Sequence, residues 1–568
     1  MAIHPANQRI KDRLLTAPYS ICIERARWFT RSHKAARDLP PALQAARALS
    51  DTLSHMTLWL DPDELIAGNR TSKPLGVVIP VERGDVNLIL SRDLDQLCSR
   101  ESQPFHISPA DRRELLSEIL PYWRGKTVRD RKKKLYRQND LNFFFSLNPL
   151  AHLQNRKSLD LKRLGRTTHV PGASLPYKVT GVLEVLHNNP AMVMNVFDVQ
   201  GHLILGHRNI LREGFSGVRK RAAKRLARAN SLGDREGEDF LSAVILCCDA
   251  VRAFGKRLAR LAREQARTQA DPERRKELLD VARHCDRVPF HPPRTFAEAV
   301  QALWLTQVAA TIAHGMAGIL AIGRFDQYLY PFYEKDLRDG LITPDQALRL
   351  LEELLIKLGT NLMVLPYAAK KTANELGSDS AAPTVGGLDP DGKDAVNELS
   401  HLILTAFANV KSLGNSFTIR LSEKSPEPFW DHALATFRET SGAALFSDEA
   451  AVPALISSGM KPADARDYGV IGCVEPAGDG NSFPCTSGND ISLAAAMEMT
   501  LLNGRLRIMA KRIVPKTGDP RRFRSFDELF SAFKRQVRFQ IETVARAVNL
   551  KDRVYRESFP CPFVSATL

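Results

Sequence analysis

An α/β fold is predicted by the sequence on three observations. Helical patterns alternate with short apolar runs through the second half of the chain, at Leu362–Leu365, Phe417–Leu421 and Tyr468–Val474. The 568 residues, 44% of them hydrophobic, suffice for a large core. No internal repeat, low-complexity tract or linker interrupts them, so residues 1–568 read as one domain.

The elements follow in order. From about residue 8 to 120 the pattern is one of helices separated by proline-containing turns, with Leu43–Ser50 amphipathic. Residues 214–286 are strongly helical and charged, with caps expected near Ser231 and Asp271. Cys247 and Cys248 are adjacent inside that pattern, which assigns them to helix packing rather than to a pair of reactive thiols. Pro289–Pro293 breaks the run before a further helix, Phe296–His314. Tyr468–Val474 is short, apolar and β-branched, bounded by glycines and stopped by Pro476, so it reads as a buried strand with chemistry at its far end. On an extended segment Cys473 and Glu475, being two residues apart, point to the same side. Free cysteine is among the most buried residue types, and a core role is the plain alternative for Cys473. The neighbouring carboxylate weighs against it, because a buried glutamate without a partner is costly.

Composition removes several classes. No apolar run approaches membrane-spanning length, and the first residues, Met1 to Pro5, lack a charged-then-apolar signal layout. Eight scattered cysteines without a CxxC pair indicate neither a disulfide framework nor a zinc site, and a reducing cytoplasm is expected. The net charge of +16 raises nucleic-acid binding, with basic runs at Arg129–Arg137, Val218–Arg228 and Arg505–Arg524. No aromatic interleaving or zinc knuckle accompanies them, and in Val218–Arg228 the charges alternate with alanines as on a solvated helix face. Nucleic acid is therefore disfavoured.

The stretches Ala444–Glu449, Pro453–Ile456 and Ala465–Pro476 together resemble the glycyl radical enzymes, within them the dehydratase and lyase branch of the pyruvate formate-lyase-like family. The likeness continues in Ile21–Ala26, Asp63–Arg70, Ile119–Thr127, Pro293–Ala302, Gly323–Pro331 and Gly386–Leu399, and so covers essentially the whole chain. The resemblance implies a ten-stranded α/β barrel of two five-stranded halves with many surrounding helices and a reactive cysteine on an inner loop. It implies that Cys473 becomes a thiyl radical and that Glu475 is the neighbouring acid or base. A thiyl radical takes an unactivated C–H hydrogen and returns it, and the carboxylate removes a hydroxyl proton as the carbon radical forms. Gly472 stands where the formate-lyase type has a second cysteine, so formate C-acetyltransferase-like chemistry is disfavoured.

At the positions that choose substrates the chain departs from its relatives. Ser487 aligns with an aspartate of the diol-dehydrating members, and Gly318 and Ile319 with their His-Ser pair. His202 matches a family histidine, with a hydrogen-bonded core histidine as the alternative reading. Asp490 suits either a helix cap or a polar pocket contact. Loss of hydroxyl-binding groups argues against glycerol and propanediol, and an apolar wall favours an aryl or alkyl substrate.

The family's radical glycine lies in a motif resembling Arg-Val-x-Gly-Tyr. The nearest string here is Arg553–Arg556, which has no glycine, and the chain finishes on an apolar, strand-like run, Pro562–Leu568. The expectation is an incomplete barrel without its glycyl radical domain, inactive alone. The resemblance implies no directly bound cofactor, a glycyl radical installed by a radical-S-adenosylmethionine activating enzyme, and a small-molecule substrate. A homodimer is compatible with it. The competing reading is a non-catalytic barrel with a binding or regulatory role.

Overall fold

The computed structural model describes residues 2–141, 194–196, 201–315, 320–365, 367, 381–411, 416–440, 442–472, 474–483, 489–505 and 514–568. Its centre is the helix Phe296–His314, buried on nearly every side because its sequence is apolar all round. Two of the polar exceptions on it are tied to the neighbouring chain: Gln301 exchanges hydrogen bonds with the backbone of Ala67, and the Trp304 indole donates to Gly68 O at 2.9 Å. Around it pack the helices Pro41–His55, His207–Leu232, Pro272–Arg287 and Pro344–Gly359, with the long helix Arg235–Thr268 beyond. Cys247 and Cys248 lie buried in this last helix, as its pattern predicts, and burial pushes the Cys248 thiol up to about 12. Val218–Arg228 shows the solvated basic face expected of it, with Val218 and Ala222 inward and Lys220, Arg221, Lys224, Arg225 and Arg228 exposed.

Short parallel strands lie beside this helical mass. β4 (Leu203–Ile204) pairs with β5 (Leu320–Ala321), and β6 (Thr384–Gly386) with β7 (Phe417–Leu421) and then β8 (Ala443–Ser447). A parallel bridge between Gly323 and Pro383, with Ile322 N donating to Ala381 O at 2.9 Å, joins the two sets into one run of five strands. A closed ten-stranded ring is not traced among the described residues. Helices fill the crossovers, as parallel pairing requires. β1 (Ser20–Cys22) and β2 (Gly76–Val78) form a small separate parallel pair. No helix among the described residues is long and apolar enough to cross a membrane.

Four local expectations are corrected. Tyr468–Val474 is not one strand: β9 (Tyr468–Ile471) ends at Gly472, and β10 (Glu475–Gly478) returns antiparallel, with Glu475 opposite Ile471 and Gly478 opposite Tyr468. Pro476 lies within β10 rather than stopping a strand, at the edge where a missing N–H costs nothing. Pro562–Thr567 is a helix whose Phe563 ring stacks on Phe215 at 5.2 Å between centroids. An apolar run of this length cannot be told from a strand by period alone, and Pro562 at the first helical position is the local cue. Leu362–Leu365 forms no strand beyond a bridge at Leu362. Asp271 caps its helix as expected, whereas the earlier cap is Asp234, accepting from Gly237 N, three residues past Ser231.

One ion pair fastens these pieces together. The guanidinium of Arg420, on β7, meets Asp448 through two contacts of 2.9 and 2.7 Å, with both side chains fully buried. Arg420 also donates to Tyr468 O and Arg466 O, each at 2.7 Å, and Asp448 accepts from Leu388 N at 2.7 Å. Removing one partner strands the other charge in the core. Asp448→Ala is therefore expected to cost about 3–5 kcal/mol, read as a lower denaturant midpoint, whereas the exposed pair Arg553–Glu557 gives less than about 1 kcal/mol when Glu557 is replaced by Ala.

Candidate active site

β4 follows directly on His202, and the β9–β10 hairpin lies against β4, β5 and β6. Ile471 and Ala477 of the hairpin share a buried apolar cluster with Ile204, Ala321 and Ala382, and Val470 N donates to Thr384 Oγ1 at 3.1 Å. This seat brings His202 to the carboxylate that opens β10: His202 Nδ1 stands 3.3 Å from Glu475 Oε1. The other oxygen, Oε2, accepts from Val474 N at 2.9 Å. Both side chains are half-buried, 17% and 22% exposed, so they are accessible from one side only.

Gly472 is the turn residue, with φ of +56°, where only glycine is unstrained. Its environment is tighter than its dihedral. A Cβ there would stand 2.4 Å from His202 Cε1 and Nδ1 and 2.8 Å from Glu475 Oε2. The histidine and the glutamate thus close on a glycine that has room for nothing more than hydrogen. Val474, on the far side of the tip, is 60% exposed.

Of the residues that sequence reasoning put at the site, His202 and Glu475 are brought together. Their meeting replaces the same-face argument: Glu475 begins a returning strand instead of continuing the first. Cys473, Ser487, Gly318 and Ile319 lie outside the described residues; Gly472 and Val474 flank the cysteine. Asp490 sits in β11 (Asn489–Ile491), exposed and opposite Asn195 of β3 (Met194–Val196). The cap of the next helix, Leu493–Leu501, is Ser492, whose hydroxyl accepts from Ala495 N at 3.1 Å, and not Asp490. β3 and the helix Leu493–Leu501 contribute to a second apolar cluster, with Met194, Val196, Ala495 and Met499, distinct from the one behind the hairpin.

Sequence reasoning assigned no role to the charges at the hairpin's base. Arg324 Nη1 donates to Asp467 Oδ1 at 2.6 Å, and Arg208 Nη2 lies 3.1 Å from Asp467 and 3.4 Å from Asp479. Burial, reinforced by the nearby Asp467 charge, pushes the Asp479 carboxyl up to about 7 against the pull of both arginines. The available signal was positional: charged residues immediately outside an apolar strand need partners. Among the described residues no group of His, Cys, Asp and Glu is arranged to hold a metal ion.

The site is thus a glycine-turned hairpin seated on a parallel α/β sheet, with an imidazole and a carboxylate at its tip. The chain matches the family model described as pyruvate formate lyase-like over residues 5–164 and 177–568, and it belongs to that family. It is 31% identical over 560 residues to the isethionate sulfite-lyase of Nitratidesulfovibrio vulgaris, covering 96% of this chain and 62% of that protein. It is 28% identical over 564 residues to the trans-4-hydroxy-L-proline dehydratase of Clostridioides difficile, covering 98% and 65%. The crystal structure of a glycyl radical enzyme from Archaeoglobus fulgidus superposes with a TM-score of 0.85 at 28% identity, over 99% of this chain and 66% of that one. The chain thus has the fold of the glycyl radical enzymes and spans roughly two thirds of the length of these relatives.

Gly472→Ala combines the strain of a side chain at positive φ with a clash against His202. The expected loss is about 2 kcal/mol or more in stability, measured by denaturant unfolding, with Gly340→Ala, whose added Cβ meets nothing within 4 Å, costing about 1 kcal/mol as the comparison.

Proposed function

We propose that this chain carries the cysteine loop of a radical lyase or dehydratase acting on a small organic substrate. The observation that supports it best is the contact of His202 with Glu475 at a hairpin tip whose next-but-one residue is Cys473. Relatives named as a sulfite-lyase and a dehydratase both remove a group from a small molecule, in keeping with this reading.

In the proposed chemistry Cys473 would become a sulfur-centred radical by giving its S–H hydrogen to a glycyl radical, the S–H bond breaking as a glycine Cα–H bond forms. The proposal takes the glycyl radical from a glycine in a motif resembling Arg-Val-x-Gly-Tyr, installed by a radical-S-adenosylmethionine activating enzyme. Cys473 then takes a hydrogen atom from a substrate carbon: a C–H bond breaks, an S–H bond forms, and the unpaired electron stays on carbon. Glu475 accepts the proton of the adjacent hydroxyl, and the neighbouring group departs with its bonding pair. The S–H hydrogen returns to the product radical, restoring Cys473. His202, 3.3 Å from Glu475 Oε1, orients the carboxylate. Half-burial of both groups limits water at the reacting centre. On the substrate side, the proposal assigns Gly318, Ile319, Ser487 and Asp490 to the pocket and favours an aryl or alkyl group over a diol.

The test is anaerobic turnover by the chain reunited with the radical-bearing portion and an activating enzyme, using isethionate, trans-4-hydroxy-L-proline and an arylacetate as probes. Cys473→Ala and Glu475→Gln each lower turnover by about 1000-fold or more, while the chain alone gives none. Normal turnover by the Cys473→Ala protein would remove the mechanism.

A further inference from the structure

Both feet of the hairpin are aspartates. Asp467 immediately precedes β9, and Asp479 immediately follows β10. Arg324, fully buried at the start of the helix Phe325–Arg338, donates to Asp467 at 2.6 Å and to Gly386 O at 2.9 Å. Arg208, on the first turn of the helix His207–Leu232, reaches both aspartates at 3.1 and 3.4 Å. Asp479 has a side chain only 3% exposed, and the backbone of Arg324, at the positive end of that helix, draws its carboxyl down against burial. Gly323 clears the way: a Cβ on it would lie 2.0 Å from Asp479 Oδ1.

We propose that Arg208, Arg324, Asp467 and Asp479 form a charge clamp on the hairpin's feet, which sets the position of its tip and so acts as a set of positioning residues for Glu475 and Cys473. This rests on the reading of the site given above. Each strand of the hairpin is four residues long, so a shift at either foot is delivered to the tip with little chance of being absorbed. The hairpin's own apolar contacts come from Tyr468, Val470, Ile471 and Ala477, and are non-directional, while the bonds from Arg420 to Tyr468 O and from Val470 N to Thr384 hold β9 and not the returning strand β10. Directional bonds from two arginines on two different helices supply what packing does not. Asp479 accepts from Arg208 Nη2 at 3.4 Å, so an uncharged acceptor of the same shape at this foot keeps that contact.

The experiment uses the 568-residue chain and needs no turnover. Hydrogen exchange of the amides in residues 468–478, and the rate at which iodoacetamide alkylates Cys473 across a pH series, are followed in Asp479→Ala, Asp479→Asn and Arg208→Gln. Asp479→Ala and Arg208→Gln are expected to speed hairpin exchange by about tenfold and to change the Cys473 alkylation rate by a similar factor. Asp479→Asn, which keeps the acceptor, restores both to within about twofold of the parent. Exchange in the helix Phe296–His314 stays at the parent rate. Unchanged hairpin exchange and alkylation in both disrupting variants overturns the clamp, as does a uniform rise over the whole chain. Should Asp479→Ala fail to fold, Arg208→Gln decides alone, its side chain being 43% exposed. Because neither readout depends on catalysis, a clamp that holds alongside full turnover by Cys473→Ala would remove the proposed function and leave the clamp standing.

Discussion

The buried pair of Arg420 and Asp448 is the constraint on which the rest of the structure depends. Two full charges sit in the core at 0% exposure, and a pair in that position is tolerable only when every donor and acceptor is met. Meeting them draws in four segments: β7, which carries Arg420; the helix Asp448–Ser457, which opens on its partner; the Arg466–Tyr468 turn, which supplies two carbonyls; and Leu388, which supplies an N–H. The entry to the hairpin is thereby tied to the middle of the sheet before any apolar contact of the hairpin is counted.

From that anchor the site is built in layers of decreasing strength. Arg420 holds the strand entering the hairpin, Thr384 takes the amide of Val470, and Ile471 and Ala477 pack on Ile204 and Ala321. His202 then meets Glu475 across the space that Gly472 leaves. Clearance is as important here as attraction. Glycine at 472 and at 323 admits an imidazole and a carboxylate to within distances that any side chain would forbid, so the polar groups approach the backbone directly. A carboxylate held between an amide and an imidazole has its orientation set on both oxygens, which is what a proton acceptor beside a reactive sulfur requires.

Much of this was legible in the amino-acid sequence, and the legible parts share a cause. The helix Phe296–His314 and the strand Phe417–Leu421 have the predicted bounds because each is buried on all sides, the helix also ending at strong local signals, Thr295 and Gly315. Cys247 and Cys248 fell into place through helical period. The family followed from motifs spread along the whole chain, and with it the choice of His202 and Glu475 as site residues, though not their contact. What was misread depends on contacts distant in sequence. The hairpin at 472 looks like a continuous strand because its turn is only a glycine within an apolar run. The Pro562–Thr567 helix looks like a strand because its apolar residues are recruited by Phe215 and its neighbours, more than 340 residues earlier. Arg208, Arg324, Asp467 and Asp479 show only that some of them flank an apolar run; which of them pair is not legible, since ion pairing has no sequence period.

The sequence by itself determined the fold class, the family and the residue types that the site contains, because burial pattern, capping and motif order are properties of neighbouring residues. Only the tertiary structure decided that residues 468–478 turn back on themselves, that His202 faces Glu475 across a glycine, and that two arginines from separate helices grip the feet of that turn. Those outcomes rest on where charges buried far apart along the chain find partners, and a buried charge selects its partner by distance in space.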